Sequence, residues 1–388
     1  MSGLAALVAL LGACGGGGVE GGGTGTAQAY SQGPITGFGS IIVNGVHYDE
    51  STASVLDDDG TNLGRDGLKL GMTVEIDSGG IDATALTAKA STVRVASDLI
   101  GPVAASDTTA GTLTVLGQTV KVTASTLFDS RFVGGQAGVS TGQVVEVYAI
   151  YDPVSGSYAA RLIEPKSNAN QYKLRGLVSA LDTAARTFRI GSQGFAYAAG
   201  SEPAGLANGA TLKLKLQTTP NGAGLWVVSS GSQGVRKPAD GSEVEIESVV
   251  ASYSSLGSFV VSGIRVDASG ASLKPAGAVV AAGVRVEVEG KMAGDVLVAT
   301  KLEVKGAEDS SGGDDSGDGQ EFEIKGSVSA LDTAAKTLVI RGQSISYAGS
   351  VAYEDGTEAD LAVGKTLEVK GTLAAGGTVV QATEIKFD

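Results

Sequence analysis

The sequence predicts an all-β protein made of small tandem units that share one strand plan. The segment Val178–Ala185, which reads Val-Ser-Ala-Leu-Asp-Thr-Ala-Ala, returns unchanged as Val328–Ala335. Matching glycines at Gly101, Gly176 and Gly326 stand 75 and then 150 residues apart, as expected for a repeat of about that length. Short runs of Val, Ile, Leu and Thr alternate with polar residues, which is the period of a β-strand. The 59 Gly and the lack of helical spacing argue against helices.

Each unit reads as three strands, a longer loop and two more strands. Asn44-Gly45 lies between two apolar runs and predicts a tight hairpin, because both residues accept a positive φ. This plan fits a five-stranded antiparallel barrel of the OB type with its usual helix shortened or missing, and a two-sheet sandwich is the alternative. The five predicted repeats span residues 34–97, 98–169, 170–237, 238–305 and 321–388.

The first fourteen residues are apolar and end at Cys14, the one cysteine of the chain. The tetrapeptide Leu11-Gly12-Ala13-Cys14 resembles the lipobox of bacterial lipoproteins, in which the peptide is cut before a cysteine that is then acylated. The resemblance implies a signal peptide at residues 1–14, lipidation of Cys14 and an anchor in the membrane. Gly15 after the cysteine implies sorting to the outer membrane of a Gram-negative bacterium.

Two segments have the composition of flexible chain. Residues 15–33 are rich in Gly and are predicted to form a tether between the anchor and the first repeat. Residues 306–320 combine Asp, Ser and Gly and are predicted to be a disordered linker before the fifth repeat. The Asp residues of segment 306–320 lack the spacing of a calcium loop, so no metal site is expected there.

Composition narrows the possible functions. The formal net charge is −14 and no sizeable cluster of Lys and Arg occurs along the chain, which makes nucleic acid an improbable partner. A single Cys excludes an internal disulfide. One His and one Trp leave little material for a metal site or an aromatic binding platform, so no cofactor and no metal are expected.

Candidate chemical groups have plainer structural interpretations. No nucleophile or partner carboxylate recurs in the other units to act with His47, the one histidine, which is expected on the surface or on an edge strand. Asp57-Asp58-Asp59-Gly60 resembles a fragment of a calcium loop, but a solvated turn fits the sequence better. Trp226 is expected to pack in the core of the third unit, although a sugar-stacking role is the alternative.

Two sets of acidic residues recur between repeats. Asp107, Asp182 and Asp332 follow the first strand and are predicted to close turns by accepting from backbone N–H groups. A glutamate recurs in the fourth strand, where it is predicted to face solvent and to discourage edge-to-edge pairing. These glutamates are Glu75, Glu146, Glu287 and Glu368.

The segment Gly37–Val46, which reads Gly-Phe-Gly-Ser-Ile-Ile-Val-Asn-Gly-Val, resembles a bacterial domain of unknown function found in tandem in proteobacterial lipoproteins. The resemblance covers about residues 35 to 388 and is best in the first, third and fifth units and loosest in the fourth. It implies the fold and the location, and it supplies no activity and no binding residues.

The sequence therefore indicates a non-catalytic lipoprotein of the cell envelope whose repeated β modules bind a glycan or a protein, at the cell surface or in the periplasm. The sequence shows no Ser-His-Asp set, Cys-His pair, metal-ligand cluster or phosphate-binding Gly loop, so an enzyme is not expected. The alternative is a structural spacer or scaffold with no specific ligand.

Overall fold

The structure is a computed structural model, and it describes residues 28–234, 236–306, 321–373 and 377–388. In this part of the chain the regular elements are strands and three short 3₁₀ turns, at Arg65–Gly67, Gly135–Gly138 and Glu358–Asp360. The signal peptide with Cys14, most of the Gly-rich tether and the linker from residue 307 onward lie outside the described residues.

The first unit shows how each barrel closes. Its strands are β1 (Ala29–Phe38), β2 (Ile41–Val43), β3 (Val46–Asp49), β4 (Ser54–Asp57), β5 (Thr73–Ser78) and β6 (Thr87–Val95). β1 pairs antiparallel with β2 and with β5, and β6 pairs antiparallel with β5 and parallel with β3. The ring is therefore closed in the order expected of an OB barrel, which rules out the sandwich alternative.

The other four units repeat this closure. The second unit comprises β7 (Leu99–Asp107), β8 (Thr112–Val115), β9 (Gln118–Lys121), β10 (Leu127–Phe128), β11 (Val144–Asp152) and β12 (Ser157–Pro165). The third comprises β13 (Tyr172–Asp182), β14 (Thr187–Ile190), β15 (Gln193–Tyr197), β16 (Thr211–Leu216) and β17 (Trp226–Gln233). The fourth comprises β18 (Glu243–Ser255), β19 (Ser258–Val261), β20 (Ile264–Asp267), β21 (Ser272–Lys274), β22 (Arg285–Ala293) and β23 (Val296–Val304). The fifth comprises β24 (Glu321–Asp332), β25 (Thr337–Ile340), β26 (Gln343–Ser346), β27 (Ala352–Glu354), β28 (Thr366–Leu373) and β29 (Val379–Phe387).

The predicted turn chemistry is present. Asn44 and Gly45 have φ values of 53° and 81°, as the hairpin between β2 and β3 requires. The Asp107 carboxylate accepts from the backbone N–H groups of Thr109 and Ala110, both at 2.9 Å, and the other two recurrent aspartates close their turns in the same way. The structural interpretation of these aspartates is confirmed.

The start of the first unit differs from the prediction. β1 begins at Ala29 and pairs with β5 along residues 29–34, so residues 29–33 belong to the first barrel and not to the tether. Because these residues include Gly33 and several polar side chains, their composition resembles that of a tether although their backbone is paired as a strand.

The first strands also join one barrel to another. The first half of β1 pairs with β5 and its second half with β2, so each half has one edge that its own barrel does not use. The free edge of the first half pairs in parallel with β18 over residues 29–32. The free edge of the second half pairs in parallel with β24 at Gly37 and Phe38. β7 and β13 pair antiparallel at residues 99–100 and 173–174. The first, fourth and fifth barrels are thereby connected through one strand, and the second is connected to the third.

Packing of the buried apolar side chains connects the two groups. Among the described residues, one core combines the first and fifth barrels with Leu127, Tyr148 and Leu162 of the second, another combines the second and third, and the last belongs to the fourth barrel with Tyr30 added. A small barrel buries little apolar surface by itself, so shared cores add stability that single units would lack. The barrels form one body and not a string of separate modules.

Candidate functional site

The outer face of the third barrel carries four cationic side chains. On β13 and β16 the leucines at alternate positions point into the barrel, where Leu174, Leu212 and Leu214 are buried. The residues between them therefore point outward. Strand register places Lys173 opposite Lys215 and Arg175 opposite Lys213. We call these four residues the cationic face.

Like charges placed directly opposite each other on a sheet are destabilising, so the cationic face requires acidic partners. Two of them come from the first barrel. Asp58 lies 3.2 Å from the Nζ of Lys213, and Asp59 contacts Lys215 and lies 3.6 Å from Lys173. The hydrogen bond from Lys215 lowers the pKa of Asp59.

Arg175 has a partner of its own. Its guanidinium lies 3.6 Å from the Asp98 carboxylate, which also accepts from the backbone N–H of Ala149 at 3.1 Å. Asp98 is buried, and this burial raises its pKa to about 6 despite the nearby guanidinium. The buried carboxylate therefore sits at the join between the second and third barrels.

The cationic face forms one wall of a groove between the first and third barrels. The groove encloses about 560 Å³, and its other polar walls are Ser230, Ser232 and Gln233 of β17 and Glu75 and Arg94 of the first barrel. Hydroxyl, amide and ammonium groups thus converge on one concavity. Such a surface can hold a polar chain through hydrogen bonds and charge pairing.

The acidic partners belong to the turn at residues 57–60. The Asp57 carboxylate accepts from the backbone N–H groups of Asp59 at 2.9 Å and Thr61 at 2.8 Å, so this side chain holds the turn together. The prediction of a turn is confirmed, but the turn is not simply solvated, because Asp58 and Asp59 lie against the third barrel.

Sequence reasoning missed the cationic face. The four cations are separated by up to 42 positions in the sequence, and register alone brings them together. Two alternating segments, Tyr172–Arg175 and Thr211–Leu216, could have revealed it. In both segments each outward-facing residue is a Lys, an Arg or a residue at the strand end.

A second polar cluster lies on the outer face of the fourth barrel. Carboxylate oxygens of Glu245, Glu287 and Glu289 lie within 4.8 Å of one another, a spacing that a metal ion could bridge. Lys301 contacts Glu289 and lies 3.5 Å from Glu287, whose other oxygen lies 3.0 Å from Lys305. Because ammonium groups already neutralise this cluster, it is a network of charges between barrels and not a ready metal site.

Burial in this cluster affects protonation. Glu245 accepts a hydrogen bond from the Ser31 hydroxyl at 3.1 Å, and its pKa is raised well above the ordinary value by burial and then by Glu287 and Glu289. The cluster connects the fourth barrel to the first, because Ser31 belongs to β1.

Four glutamates, on β5, β11, β22 and β28, were predicted to face solvent, and this prediction was wrong for three of them. Glu75, Glu146 and Glu287 are buried at 8%, 9% and 4% exposure, because another barrel covers the outer face on which they lie. Glu368 remains half-exposed and lies 3.6 Å from Lys325.

The remaining candidates have structural positions. His47 was expected on the surface or on an edge strand; it is half-exposed, but β3 is paired on both sides by β2 and β6 and is not an edge strand. Trp226 packs edge-on against Tyr172, with 5.5 Å between ring centroids, beside the shared core of the second and third barrels.

A smaller cavity of about 160 Å³ lies where the first four barrels meet. The Nε of Arg175 and the hydroxyl of Ser262 are buried beside it and have no hydrogen-bond partner among the described residues. Buried polar groups of this kind are ordinarily satisfied by ordered water. In the part of the chain that the structure describes, no helix is long and apolar enough to cross a membrane.

Parts of the chain match a model of a known protein family. Three segments, residues 100–164, 245–303 and 325–386, match the family model described as "Domain of unknown function (DUF5666)". They fall on the second, fourth and fifth barrels and support repeated copies of an uncharacterised domain. Of the first, third and fifth units, which were expected to show the best likeness, the fifth lies in a matched segment, and so does the fourth, which was expected to show the loosest.

No curated protein matches the chain. A solved structure titled "drosophila Unr CSD456" is similar over 57% of this chain and 98% of its own, at 12% identity and a TM-score of 0.14. A score this low carries no argument about function.

Proposed function

We propose that this protein is a non-catalytic binding protein of the cell envelope, and that its ligand lies in the groove between the first and third barrels. The observation that carries the proposal is the convergence of the cationic face and the β17 hydroxyl groups on one concavity of about 560 Å³. An open groove with many hydrogen-bonding groups suits an extended polar chain, and a glycan of the envelope fits it best.

Location in the envelope rests on the lipobox resemblance at Cys14. Lipid attached there would anchor the barrels to the outer membrane. Metabolic labelling with a radioactive fatty acid should label the protein, and Cys14→Ala should abolish the label. Label retained by the variant would refute the anchor.

The binding proposal is tested by blocking the groove. Ser232 is exposed on β17 and lines the groove, so Ser232→Trp should fill part of it. Ser329 is an exposed strand serine of the fifth barrel and provides a matched control as Ser329→Trp. Calorimetric titration of the full chain with soluble peptidoglycan fragments and with lipopolysaccharide oligosaccharides should show binding that the first variant loses and the second keeps. Equal binding by both variants would place the ligand elsewhere.

The second candidate is a structural scaffold without a specific ligand. It is favoured by the strand pairings that connect β1 with β18 and with β24. A spacer that sets a distance would be expected to keep its units extended, whereas shared edges shorten their reach. If no envelope glycan binds the full chain, the scaffold becomes the better proposal.

A further inference from the structure

We infer that the groove takes an acidic glycan, and that Asp58 and Asp59 of the first barrel occupy the positions of its acidic groups until it displaces them. This inference rests on the proposed function and names both the ligand class and a regulation of the same site. It starts from the contrast between the whole chain, with a net charge of −14, and one face that carries four adjacent cations.

The ligand class follows from the groups that line the groove. Three ammonium groups and one guanidinium are suited to carboxylate or phosphate groups. The β17 wall adds Ser230, Ser232 and Gln233, whose hydroxyl and amide groups match sugar hydroxyls. Protein partners ordinarily need buried aromatic or aliphatic anchors, whereas the described residues that line the groove include no aromatic side chain and are mostly polar or charged. The lining therefore favours an acidic glycan over an acidic protein segment.

The turn at residues 57–60 holds two carboxylates where such a ligand would place its own. Asp58 lies 3.2 Å from Lys213, and Asp59 contacts Lys215. The Asp59 and Lys215 side chains are 37% and 36% exposed, so water and salt screen their pairing. A ligand with several acidic groups can replace this pair first, and it can then compete for Lys213, whose pair with Asp58 is less exposed, at 26% and 17%.

Displacement does not require the turn to unfold. The Asp57 carboxylate holds the turn, and the backbone bonds from Asp57 N–H to Thr61 O at 2.9 Å and from Gly60 N–H to Asp57 O at 3.0 Å close it. The side chains of Asp58 and Asp59 take no part in these bonds. They can rotate away from the lysines while the backbone stays in place.

The test compares the full chain with a variant that lacks the two internal carboxylates. Asp58→Asn/Asp59→Asn should bind an oligogalacturonate, which carries one carboxylate per sugar, about five- to thirty-fold more tightly in low salt. Lys213→Gln/Lys215→Gln should weaken binding by at least a similar factor. Asp355→Asn/Glu321→Gln makes the same change in net charge on the fifth barrel and should leave the affinity unchanged. Dextran of equal length is the neutral probe, and thermal unfolding confirms that each variant is folded.

Each outcome decides a different point. If oligogalacturonate binds through the lysines but the aspartate variant binds no more tightly, the internal carboxylates are not competitors and only join the barrels. If dextran binds as well as oligogalacturonate, the ligand class is wrong while the groove proposal stands. If neither these probes nor the envelope glycans bind the full chain, the proposed function fails with it. Should the double aspartate variant unfold, Asp59→Asn alone gives the same comparison with a smaller expected gain.

Discussion

Gly37→Ala tests whether the first strand joins the first barrel to the fifth. Gly37 lies on β1 opposite Glu323 of β24, in the parallel pairing between these barrels. A Cβ at this position would lie 2.6 Å from the Glu323 carbonyl oxygen and 2.7 Å from the Cδ1 of Ile42. The Ile42 side chain can rotate away, but the carbonyl oxygen belongs to the backbone of the paired strand. The strands must separate by several tenths of an ångström, and overpacking of this kind costs about 1–3 kcal/mol.

Hydrogen exchange measured by mass spectrometry reports this cost locally. Since about 1.4 kcal/mol corresponds to a factor of ten in an equilibrium constant, exchange in peptides covering residues 321–327 should accelerate by roughly five- to 150-fold. Gly79→Ala is the matched control, because a Cβ there meets nothing within 4 Å. If both variants are folded and exchange at the same rate in these peptides, the contact between β1 and β24 does not hold the fifth barrel in place.

Three further predictions concern buried charge and close packing. The folded-state pKa of Asp98, about 6, lies above its ordinary 3.8, so its contribution to stability is full below pH 4 and declines by about 3 kcal/mol as pH rises through 6. The difference in urea-unfolding free energy between the unmodified protein and Asp98→Asn, measured at several pH values, should show this decline, because burial also raises the pKa of Glu245 and Glu287 in both proteins. Lys305→Met removes the cation 3.0 Å from the buried Glu287 carboxylate and leaves it Lys301 at 3.5 Å, so the fourth barrel should lose about 1–3 kcal/mol of stability. Glu287→Gln/Lys305→Met should recover part of this loss in urea unfolding. Gly290→Ala would place a Cβ 2.2 Å from a backbone oxygen of β23 and should unfold the fourth barrel, which circular dichroism would detect. Gly270→Ala is the control and should stay folded, because a Cβ there meets nothing within 4 Å.

The barrel itself could be predicted from the sequence because its determinants are local. Alternation fixes which residues point inward, and the glycine before β5, β11, β16, β22 and β28 has a positive φ in every unit, from 79° at Gly71 to 88° at Gly364. The Asn44-Gly45 turn and the recurrent aspartates act within a few residues of themselves. Each of these features requires no knowledge of the other barrels.

The candidate site could not be predicted because its determinants are not local. Alternation tells which face of a barrel a side chain occupies, but not what covers that face. Glu75 and Glu287 therefore have the sequence pattern of solvent-facing residues although other barrels bury them. The cationic face depends on the register that sets Lys173 opposite Lys215, and its partner Asp59 belongs to a barrel more than a hundred residues away.

The third barrel differs from the other four in a segment beside the groove. The other four barrels carry a short strand, β4, β10, β21 or β27, which pairs in parallel with the last strand of its unit. Residues 198–210 of the third barrel, all of them described, contain no such strand, and one bond from Ala204 N–H to Gly231 O at 3.2 Å takes its place. Pro203 beside it has no N–H to donate. A loop and one backbone bond therefore border the end of β17 in place of a strand, and Ser232 and Gln233 of this end are exposed and line the groove.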